Sequence, residues 1–455
     1  MFSFSLVCRA CLIWGLALSA LLIHIAVPLY AAEPLPDPLS LQEAQRLAAA
    51  RSRQLVAQDA VTRAARNMAV AAGQLPDPVL KLGIDSLPVT GPERLSLTRD
   101  FMTMRRIGLM QEIPRPEKRQ LKAERFERDA ERAQALRQLA LAGIERDTAL
   151  AWLERYYAQA MRTLLLQQLE ETRLQEQGAA IAFREGRGNQ ADVFAARAAL
   201  IKVEDRLSQI DRQDKNASLM LARWIGTDAK RPLAGQPAWK NSKLDTTLFT
   251  TFSAEQLQQH PQLELLATQL SAAETDARLA QANTKSDWTL EAAYQQRGPA
   301  YSNMVSLGVS IPLQWDQKNR QNREVAAKLA LVDEARANYD DKLLAYEAEV
   351  RGLHNDWQTG KERVARYTGQ MIPVAGQRAA AALTTYRIGK GDLASVLAAR
   401  REEISARIQG LTLELETARL WAQLNYFDMM AAEETGANNT ANPTASSASS
   451  EKSQP

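Results

Sequence analysis

Two hydrophobic periods divide the chain. Steps of four and three from Val325 land on Leu329, Val332, Tyr339, Leu343, Tyr346, Val350, Leu353, Trp357, Val364, Tyr367, Met371 and Val374, and only Arg336 and Gly360 interrupt the stripe. A 3.5-residue repeat of that length predicts a long α-helix supercoiled on its neighbours. Leu150, Leu153, Tyr157, Met161 and Leu164 mark a matching helix earlier in the chain. The second period is two. Trp288, Leu290, Ala292 and Tyr294 alternate with Asp287, Thr289, Glu291 and Gln295. Val305, Leu307, Val309 and Ile311 alternate with Ser306, Gly308 and Ser310, and Leu80, Leu82 and Ile84 alternate with Lys81, Gly83 and Asp85. These are strands with one apolar face, as tilted strands in a membrane barrel are. A half-buried sheet in a soluble domain shows the same alternation.

The chain also repeats itself. Phe183–Arg197 aligns with Tyr386–Arg400 at an offset of 203, sharing 8 of 15 residues, and both copies contain a Gly-x-Gly turn. Upstream, Leu47, Asp77 and Leu80 match Leu257, Asp287 and Leu290 at an offset of 210. Ile113-Pro114 matches Ile311-Pro312, and a basic Lys118-Arg119-Gln120 matches Lys318-Asn319-Arg320-Gln321.

The fold class expected is therefore mainly α with a small membrane β part. It is a duplicated helix–β-hairpin–long helix–turn–helix unit. The first repeat occupies 33–226, with a helix over 41–73, strands over about 78–113, a long helix over about 117–182 and a returning helix over 191–225. The second occupies 253–430, with a helix over 254–283, strands over about 287–313, a long helix over about 318–385 and a returning helix over 393–430. Pro373 marks a kink in the second long helix. A linker covers 227–252, where Pro232, Gly235 and Pro237 gather, and a disordered, Ser/Thr/Asn/Ala-rich tail covers 431–455. Residues 1–32 read as a signal peptide: Arg9, an apolar run from Cys11 to Leu29, then Ala31-Ala32.

Composition narrows the chemistry. Lys+Arg 56 against Asp+Glu 53 leaves a net charge of +3, which argues against a nucleic-acid partner. Cys8, Cys11, His24, His260 and His354 are the entire supply of cysteine and histidine. Structural zinc sites, disulfide frameworks and thiol nucleophiles need more. The acidic residues are spread along helix faces rather than gathered. The expectation is a protein that is not an enzyme and takes no cofactor. Met102, Met104 and Met110 share one strand parity and are candidates for soft-metal contact, although methionines at such spacing usually pack. His260 and His354 lack a second ligand at useful spacing and read as structural.

Four strands cannot close a barrel, and lipid does not tolerate open sheet edges. Membrane-spanning strands would need several chains, each adding two hairpins. With this unit, the segment Gln111-Glu112-Ile113-Pro114 leading into Lys118-Arg119, and the Tyr386–Leu397 turn, the chain resembles TolC-type outer-membrane factors. Within that family it is most similar to the heavy-metal cation efflux, CzcC-like, branch. The resemblance covers about 39–430. It implies a homotrimer with a twelve-stranded barrel in outer-membrane lipid, continued by an α-helical barrel across the periplasm. It also implies a periplasmic adaptor and an inner-membrane proton-driven pump as partners. A duct for drugs or other organic compounds, or a periplasmic coiled-coil scaffold without a pore, are the alternatives.

Carried over position by position, the resemblance makes the two Gly-x-Gly turns the periplasmic tips that dock the adaptor. Their residues are Arg184, Gly186, Arg187 and Gly188 in the first repeat, and Arg387, Gly389, Lys390 and Gly391 in the second. A tight helix reversal alone also accounts for the glycines. The aspartate ring that narrows the mouth in some members falls here on Ser395 and Ala398. Asp192, Asp392 and Ser395 are the candidate aperture lining.

Overall fold

The computed structural model describes residues 37–235, 237, 239 and 260–438, the last helix with side chains up to residue 425. The expected signal peptide, most of the linker, Leu257, the start of the second-repeat helix and the tail beyond 438 lie outside the described residues.

The elements follow the duplicated order. In the first repeat they are α1 (Leu41–Arg51), α2 (Arg53–Gly73), β1 (Val79–Asp85), β2 (Met104–Ile113), α3 (Pro116–Arg184) and α4 (Gln190–Ile225). In the second they are α5 (Pro261–Ala282), β3 (Trp288–Gln296), β4 (Met304–Ser310), α6 (Gln321–Arg366), α7 (Ile372–Arg387) and α8 (Leu393–Asn438). The 69 residues of α3 make a rod about 100 Å long. Its start is set by Pro116 in the first turn, where a missing N–H costs nothing.

Three boundaries differ from expectation, and the interruption expected at Pro373 is present. The helix expected over 41–73 breaks at Ser52, whose extended backbone ends α1 and whose hydroxyl accepts from Leu55 N to start α2. The edge strands β1 and β4 are shorter, spanning seven residues each, and each is paired on one side only. The last helix passes Met430 and continues to Asn438. The second long helix is interrupted by a π-turn over Tyr367–Met371, just before Pro373. Proline supplies no N–H to the preceding turn, so the backbone there adopts wider hydrogen bonding. The turn absorbs an extra residue and shifts the stripe by one position. Met371 and Val374 therefore point outward, and Ala375 and Ala379 are buried in α7.

At mid-height the helices share one core. Trp152, Leu153 and Tyr157 of α3 pack with Leu221 and Ile225 of α4, Tyr346, Val350 and Trp357 of α6, and Trp421 and Leu424 of α8. Here the α3 stripe is buried as expected, and alanines such as Ala149, Ala151 and Ala158 bring neighbouring helices close. Leu39 and Trp239 enter the same core. Trp152 Nε1 donates to the Leu39 carbonyl at 3.2 Å, and Trp239 Nε1 donates to the Tyr157 hydroxyl at 2.9 Å. His260 caps α5: its Nδ1 accepts from Gln262 N at 3.1 Å and its ring lies 4.5 Å from that of Tyr346. Burial pushes its pKa down to about 4.

All four strands form one antiparallel sheet in the order β1-β2-β3-β4. The two hairpins are joined by β2 and β3, so the central ladder pairs one repeat with the other. Beneath the sheet, Lys118 of α3 is nearly fully buried, pairs with Asp287 at 2.7 Å and donates to the Lys285 carbonyl at 2.6 Å. Arg125 and Lys328 both reach Asp276, at 2.7 and 3.2 Å. These contacts tie the two repeats together where sheet meets helices.

Candidate functional site: the sheet wall and the helix tips

The register separates the sheet into two chemically distinct faces. Paired positions share a face, so Leu80/Leu109, Leu82/Ile107, Ile107/Tyr294, Ile113/Trp288, Leu290/Val309, Ala292/Leu307 and Tyr294/Val305 form one side. Its aliphatic residues lie open: Leu82 is 70% exposed, Val305 72% and Leu307 82%. The opposite side carries Lys81, Asp85, Arg106, Glu112, Thr289, Glu291, Gln295, Ser306 and Ser310. Aromatic residues stand near both ends of the apolar side, Trp288 at the helix-proximal end and Tyr294 towards the loops. Outward apolar bands with aromatic margins characterise barrels in lipid. Among the described residues no helix is long and apolar enough to cross a membrane.

The strand basic pair divides between the faces. Arg106 lies on the polar side and touches Glu291. Arg105 lies on the apolar side near the loop end of β2, opposite Ile84 and Gln296.

The methionines do not converge. Met104 and Met110 are both on the polar side, but six strand steps separate them by about 20 Å. Met102 lies before the strand, in a bend held by Asp100 Oδ1, which accepts from Met102 N at 2.8 Å. Among the described residues no group of three His, Cys, Asp or Glu is placed to hold a metal ion. His354 leans on Trp357, with ring centroids 6.2 Å apart.

At the far end from the sheet, the two Gly-x-Gly reversals come together. Ala179 of α3, Ala196 of α4 and Leu393 of α8 form a small core there, covered by Val193, Tyr386 and Leu397. Both turns close alike. Gly186 has φ +73° and Gly389 +74°, a left-handed conformation that disfavours a side chain. Arg187 N donates to the Ala182 carbonyl at 2.9 Å, and Lys390 N to the Thr385 carbonyl at 3.1 Å. A Cβ on Gly188 would sit 3.2 Å from Phe183 N, and one on Gly391 would sit 3.3 Å from Tyr386 N.

The tips differ in charge. Arg187 pairs with Glu185, and Arg184 Nε donates to the Ala180 carbonyl at 3.3 Å. In the second tip Ile388 stands where the first has Glu185. Arg387 and Lys390 beside it are exposed and have no ion-pair partner among the described residues.

Asp192 and Asp392 are not equivalent. Asp392 caps α8, accepting from Ser395 N at 2.6 Å. That backbone hydrogen bond, with one from the Ser395 side chain, holds its carboxyl below the usual carboxylate range. Its positional counterpart is Asn189, which caps α4 by accepting from Asp192 N at 2.8 Å. Asp192 carries its carboxylate free in the first turn, where the helix dipole favours it. Ser395 lies in the first turn of α8, and Ala398 lines a groove of about 440 Å³ between α3, α4 and α8.

With this geometry in place, the chain is similar to known outer-membrane proteins. The family described as outer membrane efflux protein matches residues 253–426, nearly the whole second repeat. No curated protein matches the chain. Among solved structures, the outer-membrane channel OprN is 20% identical with a TM-score of 0.71, over 85% of this chain and 89% of that one. The outer membrane protein VceC of Vibrio cholerae is 18% identical with a TM-score of 0.70, over 85% of this chain and 95% of that one. CusC is 15% identical with a TM-score of 0.70, over 85% and 91%. The second repeat is thus similar to outer membrane efflux proteins, and the fold of the chain is that of the solved outer-membrane channels.

Proposed function

We propose that this protein is the outer-membrane exit duct of a tripartite, proton-driven efflux system, and that its cargo is heavy-metal cations. One observation carries the duct reading. A four-stranded sheet, apolar on one side, leaves the outer edges of β1 and β4 unpaired and continues into helices about 100 Å long. Three copies give twelve strands, with β4 of one protomer pairing with β1 of the next, and this removes every open edge. The polar side then faces the lumen.

The tips meet a periplasmic adaptor through Arg184, Gly186, Arg187 and Gly188 and through Arg387, Gly389, Lys390 and Gly391. The second tip supplies the stronger contact, because exposed Ile388 stands between two unpaired cations. The matching adaptor surface is acidic around an apolar centre. Asp192, Asp392 and Ser395 line the aperture, with only Asp192 offering a free carboxylate. Energy comes from the inner-membrane pump.

The turn and the Gln111–Arg119 segment resemble TolC-type factors in general, and the cargo assignment follows the likeness of the whole chain to their heavy-metal branch. The three solved channels score alike at 0.70–0.71, so the fold does not choose the cargo. Metal passes through without a resident site, since Met104 and Met110 are too far apart to share an ion. A strain lacking the protein tests both parts. Selective sensitivity to divalent heavy metals supports the assignment. Sensitivity to organic toxicants alone keeps the duct and removes the metal. A purified chain that is monomeric and water-soluble without detergent removes the duct itself.

A further inference from the structure

Four charged side chains gather on the polar side of the sheet. Glu291 of β3 meets Lys81 of β1 at 2.8 Å and touches Arg106 of β2. Arg106 also reaches Asp85 at 3.9 Å. Lys81 and Glu291 belong to strands separated by β2, so the Lys81 side chain passes across that strand. The residue opposite Lys81 on β2 is Gly108. Arg106 faces Gly83, and Glu291 faces Gly308. Each of the three long charged side chains is thus opposite a glycine, which leaves the wall bare beside it. Gly108 has no room for more: a Cβ there would stand 3.0 Å from that of Ala293. A bare wall lets these side chains lie along it instead of projecting into the enclosed space.

Resting on the duct reading above, we infer that Glu291 is the specificity-determining residue of the barrel lumen: its carboxylate pairs with two wall cations, Lys81 and Arg106, and with Asp85 balances their charge, and so keeps the exit permissive for small cationic cargo. Among the described strand residues no other carboxylate can replace it. Glu112 sits at the helix-proximal end of β2, opposite Thr289, and Asp85 touches Arg106 alone at longer range. Without Glu291, Lys81 has no ion-pair partner among the described residues and the middle of the wall turns positive. Cations approaching the outer exit would then be repelled by every protomer at the same height.

The test uses the full chain in planar bilayers under a KCl gradient, reading the permeability ratio of potassium to chloride. A unit charge about 8 Å from a passing ion biases its local concentration about twofold in water. Screening at 0.1 M salt weakens this by about half, while opposite effects on the two ions multiply. Glu291→Gln is therefore expected to lower the ratio about twofold or more. Lys81→Met is expected to raise it, so the balance is read from the other side even if the first variant fails to insert. The double variant is expected to return close to the parent value. Channels whose ratio is unchanged in both single variants overturn this inference and leave the duct reading intact. A parent chain that never conducts overturns both.

Discussion

Leu307 offers a direct measurement of what the apolar side of the sheet faces. It lies centrally in β4 and is 82% exposed. Its neighbour Ser306 points to the other side and donates to Gln295 Oε1 at 3.1 Å. In a water-soluble sheet, Leu307→Arg at so open a position stays within about 0.5 kcal/mol. Facing the bilayer midplane, it costs about 2–4 kcal/mol per chain, and three chains in one barrel raise the total to about 6–12 kcal/mol. Ser306→Arg gives up one hydrogen bond, about 1 kcal/mol per chain, and keeps its charge in water. The assay is the yield of detergent-extracted oligomer from the outer-membrane fraction, followed by its denaturant midpoint. Leu307→Arg should empty that fraction, while Ser306→Arg should nearly match the parent. Equal tolerance of the two arginines would refute the assignment of the faces.

Three further outcomes follow from the helical part. The His260 ring has a pKa of about 4 in the fold against 6.5 in the unfolded chain, so the unfolded chain binds its proton more readily between those values. Its stabilising share is complete above pH 6.5 and is lost as pH falls towards 4, amounting to about 2 kcal/mol at pH 5. His260→Asn keeps a capping acceptor and should flatten the difference between melts at pH 7 and pH 5; an unchanged difference would exonerate the ring. At the second tip, Gly389→Asn should be mild and Gly389→Val should cost about 1–2 kcal/mol in melting stability, because the backbone there is left-handed. Asp392→Ala should speed amide exchange in the first turn of α8 while Asp392→Asn does not, since either oxygen can accept from Ser395 N.

Much of this architecture is legible in the sequence because it is periodic. The alternation of Leu80–Asp85 and Trp288–Gln295 reports which residues share a face, and the structure keeps that division at each of those positions. The duplicated turn likewise announces two similar reversals. What periodicity does not carry is anything that depends on two distant segments meeting. The pairing of β2 with β3 leaves no mark in either strand. The charge cluster around Glu291 needs a residue on each of three strands and glycines opposite them. The tip asymmetry rests on Glu185 against Ile388, a single aligned difference that gains meaning only from the ion pair with Arg187. The stripe from Val325 fails after Tyr367 because hydrogen bonding widens ahead of Pro373, a backbone event that side-chain spacing does not encode. The break at Ser52 likewise turns on a local cap within an otherwise helical run.

The β2–β3 ladder joins nine residue pairs, more than the seven in either hairpin, and so the sheet is best stitched between the two halves of the gene. A chain severed between the halves would still hold the longest seam. Two separately translated pieces would then be able to find each other through it, and an ancestor built as a hexamer of single units needs no invention beyond a fused reading frame.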